Sequence, residues 1–357
     1  MAPGFLQPGE VYGARSTAEQ PDAISGNIVQ AFVATSMPMG SSILGASSIL
    51  GSTLGSVTRR LRALPSVVGS FVGNLAGGSL EHDTPLNRSH AERSALQPYG
   101  GARRVLLLPT HSVAYIKAIK RAGGTTFEAT VLSIFTGALR RFCEKADPGF
   151  AGKVAQAGGP SKFVARATTP VPLPVSPDEF IANQGLCNNF AIVSAPIALG
   201  EETPEARLAS THKAITALKA SSVASVTSWQ EENLLFNLPT RTRQMECLRY
   251  ISLHSIDYSS VPGPPMPGNV AGSPVKAISI VLPQMLSQLI LLSYDGMLYP
   301  TLTYDNEVLL DADCLSACYL EELTALGKAL NIGDGPLTAT DRHSGPPTGS
   351  GGTDSSN

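Results

Sequence analysis

Charge is scarce in this chain of 357 residues: Asp, Glu, Lys and Arg together make up 15%, and the net charge is −2. No broad basic surface for nucleic acid and no acidic tail can be built from that balance. The five cysteines, at 143, 187, 247, 314 and 318, form no C-x-x-C. Neither a disulfide framework nor a zinc knuckle is therefore expected, and a reducing, intracellular setting is. Cys314 and Cys318 lie one helical turn apart with no His or acid at ligand spacing, so they are expected in a core and no metal site is assigned. The opening MAPGFLQPGEVYG lacks the basic and apolar regions of a signal peptide. No G-x-S-x-G elbow occurs, and LNIGDG and AQAGGP lack the spacing of phosphate loops. Serine-nucleophile, nucleotide-binding and Rossmann chemistry are all unsupported, and no cofactor is expected.

Charge is missing altogether between Asp22 and Arg59, where SSILGASSILGSTLGS forms a short repeat of Ser, Gly and small apolar residues. Gly, Ser and Pro38 interrupt it, so a spanning helix is not expected despite the uncharged length. RRLRALPSVVGSFVGNLAGG follows, and basic residues beside an apolar run suit either an anionic membrane interface or a flexible linker. Residues 1–100 are read as a low-complexity, partly apolar linker, with the 22–80 stretch as its membrane-associating part. A lobe over 101–332 and a disordered tail over 333–357 complete the organisation.

Within the lobe the 43% hydrophobic content is arranged as mixed helices and strands, an α/β pattern. RRVLLLPT reads as a buried strand and HSVAYIKAIKRAGG as a helix from Thr110 to a glycine stop. TTFEATVLSIFTGALRRFCEK is the clearest helix: Val131, Ile134, Phe135, Ala138, Leu139 and Phe142 recur at helical spacing, and Thr125 with Glu128 makes a capping box. KFVARATTPVPLPV and NNFAIVSAPIAL read as strands, the first ending in prolines that suit an edge or a terminus. TPEARLASTHKAITALKA is a helix, and a second runs from WQEENLLFNL towards Cys247. LRYISLHSIDYSS, PVKAISIVLP, LSQLILLSYDG and MLYPTLTYD are strand candidates. A last helix, capped by Asp311 or Asp313, buries Leu315, Tyr319, Leu323, Leu326 and Leu330.

Residues 257 to 272, DYSSVPGPPMPGNVAG, put four prolines and three glycines directly after LRYISLHSI. Pro fixes φ and Gly admits φ > 0, so the cluster is a rigid turn, here expected between that strand and PVKAISIVLP. It does not stand alone. GTTFEATVLSIFTGALRRF, entered after DTPLN, then LCNNFAIVSAPIALG with its TPEARL helix, then SSVPGPPMPGNVAGSPV and SYDGMLYPTLTYD occur in one order. In that order they resemble the C-terminal half of the bifunctional wax ester synthase/diacylglycerol acyltransferase family. Cys187 stands where that family usually has glycine, and Glu128–Ala129 stand where it has Asn-Asp.

The resemblance implies one lobe of a two-lobed fold like chloramphenicol acetyltransferase and the condensation domains, with the active site in a tunnel between lobes. It also implies transfer of an acyl group from acyl-CoA, as co-substrate, to diacylglycerol or a long-chain alcohol. Peripheral contact with a membrane or lipid droplet accompanies such substrates. The reaction needs a general base for the alcohol and donors for the thioester oxyanion. In the family the base comes from H-H-x-x-x-D-G of the N-terminal lobe, and no His-His pair occurs here. A separate N-terminal lobe is thus the expected partner; a non-catalytic lipid- or partner-binding lobe and a truncated gene product remain as alternatives.

Among the residues present, His254 and Asp257 make H-S-I-D, a base and carboxylate only if the strand bends, and a strand-surface histidine otherwise. His111 and His212 are expected to face solvent beside lysines, and His82 and His90 flank TPLN. Glu128 is expected to serve as the capping acid. The expected tunnel walls are Ser260, Val261, Pro262, Gly263 and Pro264, with Asn188, Asn189 and Phe190 of the second strand.

Overall fold

The computed structural model describes residues 81–175, 177–182 and 189–332, all within one compact unit spanning Leu64–Asn357. The whole 22–80 stretch, and with it residues 1–80 of the 1–100 linker, Asn188, and the tail from 333 lie outside the described residues. The elements in chain order begin with α1 (His90–Ser94), β1 (Arg104–Leu107), β2 (His111–Ser112) and α2 (Val113–Ala122). Next come α3 (Phe127–Ala146), α4 (Phe150–Gln156), β3 (Arg166–Pro172), α5 (Pro177–Ala182) and β4 (Phe190–Pro196). The chain continues through α6 (Pro204–Ala220), α7 (Val223–Asn233), a 3₁₀ turn (Leu235–Asn237) and α8 (Thr240–Ser252). It closes with β5 (Ile256–Pro262), β6 (Asn269–Val270), β7 (Ser273–Pro274), β8 (Ser287–Tyr294), β9 (Met297–Tyr304) and α9 (Leu315–Ala329).

A mixed sheet in the order β1-β9-β8-β5-β3-β4, with β2 also pairing β9, is the frame. Strand alternation sorts its side chains into two faces. Ala167, Ile256, Tyr258, Leu289, Leu291, Leu298 and Leu302 join one core cluster with Ile134, Phe135 and Leu139 of α3 and Leu323 and Leu326 of α9. On the opposite face Tyr294, Met297 and Tyr299 form a second, small cluster against Val275 and Ile278. Helix α3 is buried on every side from Ala129 to Arg140, so it is the central rod of the helical layer. Its N-cap is Thr126, whose hydroxyl accepts from the Ala129 N–H at 3.2 Å. The expected box of Thr125 with Glu128 does not form, because the cap lies one residue later and its N3 residue is Ala129; Thr125 meets the Thr130 hydroxyl at 2.8 Å, and Glu128 pairs with Lys219 at 2.6 Å.

Several other sequence expectations are corrected. LRYIS ends helix α8 and is no strand, because Leu248 and Ile251 recur at helical spacing and Glu246 and Arg249 pair across one turn at 2.8 Å. PVKAISIVLP beyond Pro274 joins no ladder, since β8 is already flanked by β5 and β9. RRVLLLPT forms an exposed edge strand, with Val105 and Leu107 at 47% and 62% exposure. Leu315 to Ala329 is entered from a 3₁₀ turn whose N-cap, Asp311, is left-handed and makes no side-chain cap bond; Cys314 is the cap position of α9, again without a cap bond. His111 is fully buried on β2, 3.2 Å from the Tyr319 hydroxyl, and His212 is half-buried. Residues 81–100 contribute buried side chains such as Leu86 and Arg93 to the body.

The proline-glycine cluster has a topological task. Strands β5 and β8 are parallel neighbours, Ile256 beside Ser287 through Pro262 beside Ser293. Parallel neighbours require a crossover of a dozen or more residues, usually helical. Here residues 263 to 286 make that return without a helix, carrying the small β6–β7 hairpin at its far end.

Candidate functional site

His254 stands at the join of α8 and β5 and is 1% exposed. Its Nδ1 lies 2.8 Å from the Tyr250 carbonyl, its ring lies 4.7 Å from that of Tyr250 at a tilt of 47°, and its Nε2 has no partner. Burial pushes its pKa down to about 4, so the ring is neutral near pH 7. This corrects the strand-surface placement: the helical turn before β5 folds the ring inward. The H-S-I-D pair is not assembled. Asp257 accepts instead from the Thr168 hydroxyl at 2.6 Å and the Gln288 amide at 2.7 Å. Burial raises its pKa, and those two donors oppose the shift.

Asp257 belongs to a row that crosses the sheet on the face away from α3. The registers place Ser194, Thr168, Asp257, Gln288 and Thr303 side by side on β4, β3, β5, β8 and β9. A row of polar side chains in an otherwise apolar sheet is costly unless it is satisfied. The Asp257 carboxylate is satisfied by Thr168 and Gln288, while Gln288 Oε1 and the hydroxyl of Thr301, diagonal to it on β9, are buried without partners.

The same registers gather the expected wall residues at one end of the sheet. Phe190 pairs with Pro172, and β3 runs parallel to β5, so Ser260 to Pro262 reach the level of that pair. The β3–β5 ladder stops after Thr168–Asp257, where Pro170 and Pro172 have no N–H to continue it. Beyond that point Ser260 is exposed and Val261 half-buried, Phe190 is 41% exposed, and the Asn189 amide donates to the Pro174 carbonyl at 3.3 Å. Gly263 is fixed by packing: its N–H donates to the Ser293 hydroxyl at 3.2 Å, and a Cβ there would overlap the Ser293 carbonyl. Pro264 then accepts from the Asp295 N–H at 3.1 Å. The geometry offers hydroxyls and unladdered backbone groups to an extended ligand at this end. Of the described histidines, none stands with a carboxylate as a ready acid-base pair there.

The most connected motif residues serve the core. Glu322 of α9 is fully buried and is held by Arg207 at 3.0 Å and Arg141 at 2.9 Å. Gly137 lies against it, since a Cβ at that position would overlap the Glu322 side chain. Arg140 donates to the carbonyls of Leu199 and Gly200 at 3.1 and 2.8 Å and so ties α3 to the turn after β4. G-A-L-R-R and the arginine of TPEARL are thus two halves of one buried charge network. Sequence reading found both motifs and missed their common partner, because Glu322 sits in an ordinary-looking L-E-E-L helix.

Comparison with known families matches residues 186–327 to the model of the WS/DGAT C-terminal domain. No curated protein matches the chain. Among solved structures, the wax ester synthase/diacylglycerol acyltransferase from Marinobacter aquaeolei VT8 is similar, with 18% identity and a TM-score of 0.48. That alignment covers 78% of this chain and 58% of the other. The condensation domain that mediates chain release from the enacyloxin polyketide synthase aligns at 17% identity and TM-score 0.44, over 89% and 58% of the two chains. The chain thus spans under two thirds of the length of each of these two proteins.

Proposed function

We propose that this chain, whose residues 186–327 match the model of the WS/DGAT C-terminal domain, is the C-terminal lobe of an O-acyltransferase of neutral-lipid synthesis. The acyl group passes from acyl-CoA to a long-chain alcohol or diacylglycerol, with free CoA as the second product. The family match over the segment that holds β4, β5, the crossover and the β8–β9 hairpin is the observation that carries the reading. On this reading the end of the sheet formed by Phe190 and Ser260 to Pro264 walls the substrate tunnel. Serine hydroxyls and unladdered backbone groups there hold the acyl chain's polar end, while apolar neighbours exclude water.

The attacking hydroxyl needs a base near neutral pH. His254 is neutral but enclosed, and its neighbour Asp257 is engaged by Thr168 and Gln288. The base is therefore assigned to a lobe bearing H-H-x-x-x-D-G that docks on this one. Radiolabelled acyl-CoA with hexadecanol or diacylglycerol tests this, using the full chain alone and co-expressed with such a lobe. Labelled ester and free thiol should appear only with both. Turnover by the chain alone would place the base within it. A complex of the two that binds neither acyl-CoA nor lipid alcohol would exclude the acyltransferase reading. The enclosure of His254 favours one second reading, a lobe that binds lipid without catalysis; acyl-CoA binding unaccompanied by turnover in either format would support it.

A further inference from the structure

Three tyrosines among the described residues are at most 1% exposed: Tyr258, Tyr294 and Tyr319. A buried phenol ordinarily finds a hydrogen-bond partner. Tyr294 OH bonds Gly268 and Val275 at 2.8 Å, and Tyr319 OH meets the His111 ring at 3.2 Å. The Tyr258 hydroxyl has no partner. Such a hydroxyl is a standing cost in stability, and phenylalanine, a ring of nearly the same shape, would remove it. Tyr258 lies on β5 with its ring in the core cluster that holds Leu132 and Phe135 of α3. Ser260, two positions on and therefore on the same face, is exposed. The enclosure thus ends between them, at the end of the sheet where Phe190 and Ser260 to Pro264 gather. Burial, and after it the Glu128 carboxylate of the first turn of α3, hold the pKa of the phenol above its ordinary value, while the Ser260 hydroxyl opposes them. The phenol is therefore a protonated donor at neutral pH.

We infer that the Tyr258 hydroxyl is the donor that holds the carbonyl oxygen of the acyl thioester at this end of the sheet. The inference rests on the acyltransferase reading and names the residue that receives the reacting group. A carbonyl seated beside Ser260 is one two-residue step along the strand from Tyr258, about 6.6 Å, which a tyrosine side chain spans. The O–H donates and the carbonyl accepts. As the alcohol adds to the thioester, negative charge grows on that oxygen, and a donor already fixed in place lowers the barrier. An anionic group would be set against Glu128, so the oxygen received is that of a neutral thioester.

Isothermal titration of the full chain, alone and co-expressed with a lobe bearing H-H-x-x-x-D-G, tests this with palmitoyl-CoA and with S-hexadecyl-CoA. The thioether has a methylene where the thioester has its carbonyl. Tyr258→Phe keeps the ring and deletes the hydroxyl. It should weaken palmitoyl-CoA binding roughly fivefold to tenfold, the worth of one hydrogen bond, and leave thioether binding unchanged. The same variant should unfold at higher urea than wild type, because the cost of the unpartnered hydroxyl is gone. Equal affinity of variant and wild type for the thioester would overturn the inference. So would an equal loss on both ligands, which would assign the ring to shaping the tunnel alone. A lower urea midpoint would overturn it too, by revealing a protein partner for the hydroxyl. A wild-type chain that binds neither ligand in either format would instead bring down the acyl-CoA reading, and this inference with it.

Discussion

Arg207 and Glu322, 115 positions apart in sequence, meet at 3.0 Å in the interior, their side chains 2% and 0% exposed. Such a pair gives little net stability over an apolar replacement, yet removing one partner strands a buried charge. Glu322→Gln should therefore cost about 3 to 5 kcal/mol, since the buried Arg207 loses its countercharge while Arg141 keeps only Glu321 at 3.8 Å. Gly137→Ala should cost about 1 to 3 kcal/mol because its methyl enters the space of the Glu322 side chain. The two are coupled. In a Glu322→Ala background the same Gly137→Ala change should cost markedly less, a double-mutant cycle readable by urea denaturation. Additive costs would show that Gly137 is kept for some other reason.

Stability should depend on pH with two opposing contributions. Burial pushes His111 and His254 down to about 4 from 6.5. Between those values the unfolded chain binds more protons than the native one, so stability rises with pH. Glu81 has the opposite sign. Burial pushes its carboxyl up to about 7 from 4.5, against the Ser255 hydroxyl, the Arg166 N–H and Arg93. Across that window the native chain holds the extra proton, and stability falls as pH rises. Each group changes stability by at most about 1.4 kcal/mol per pH unit. Two histidines against one carboxyl predict a net rise from pH 4 to 6.5 and a shallow fall up to 7. Glu81→Gln should abolish the fall and steepen the rise in denaturation midpoints taken across this range. A profile identical to wild type would mean that Glu81 is ionised throughout.

What was legible in the sequence follows range of contact. Helix α3 and the β8–β9 hairpin are visible because their causes are local: apolar residues on every side of a long helix, and a two-residue turn in which Asp295 and Gly296 are both left-handed. The strand expected over LRYISLHSI failed at its start because residue composition favoured a strand while spacing favoured a helix. His111 reads as a surface histidine beside lysines until β9 and Tyr319, far along the chain, enclose it. The same holds at the candidate site. Ser260 to Pro264 and Phe190 are conspicuous in sequence, but that they share one end of the sheet is a consequence of register. Thr168 and Gln288, which hold Asp257, carry no sequence signal at all, since their role exists only across three paired strands.

The crossover from β5 to β8 should be pinned by one hydroxyl. Tyr294 OH accepts from the Gly268 N–H at 2.8 Å and donates to the Val275 carbonyl at 2.8 Å, fastening both ends of the β6–β7 hairpin. Tyr294→Phe removes both bonds while keeping the ring, which packs with Met297 and Tyr299. Global stability should fall by about 1 to 3 kcal/mol at most. Amide exchange at Gly268 should quicken well beyond that of β8. Unchanged protection at Gly268 would mean that the hairpin is held by its other contacts.

The polar row through Asp257 makes the last prediction, because its members differ in what they would lose. Gln288 commits its amide N–H to Asp257 at 2.7 Å and leaves Oε1 buried and unpartnered; Thr301, diagonal to it on β9, likewise has a buried, unpartnered hydroxyl. Replacing Gln288 by Leu removes a donor from a buried carboxyl and should destabilise by about 1 to 3 kcal/mol. Replacing Thr301 by Val has the reverse sign. Valine keeps the branched shape and deletes a hydroxyl whose desolvation nothing offsets, so the variant should gain about 1 kcal/mol. The Gln288→Leu loss should shrink at low pH, where the carboxyl that burial has already raised becomes protonated. Thermal unfolding of both variants at two pH values checks all three signs. A Thr301→Val chain less stable than wild type would reveal a hydrogen-bond partner for Thr301 in solution, and with it a polar group seated on this face of the sheet.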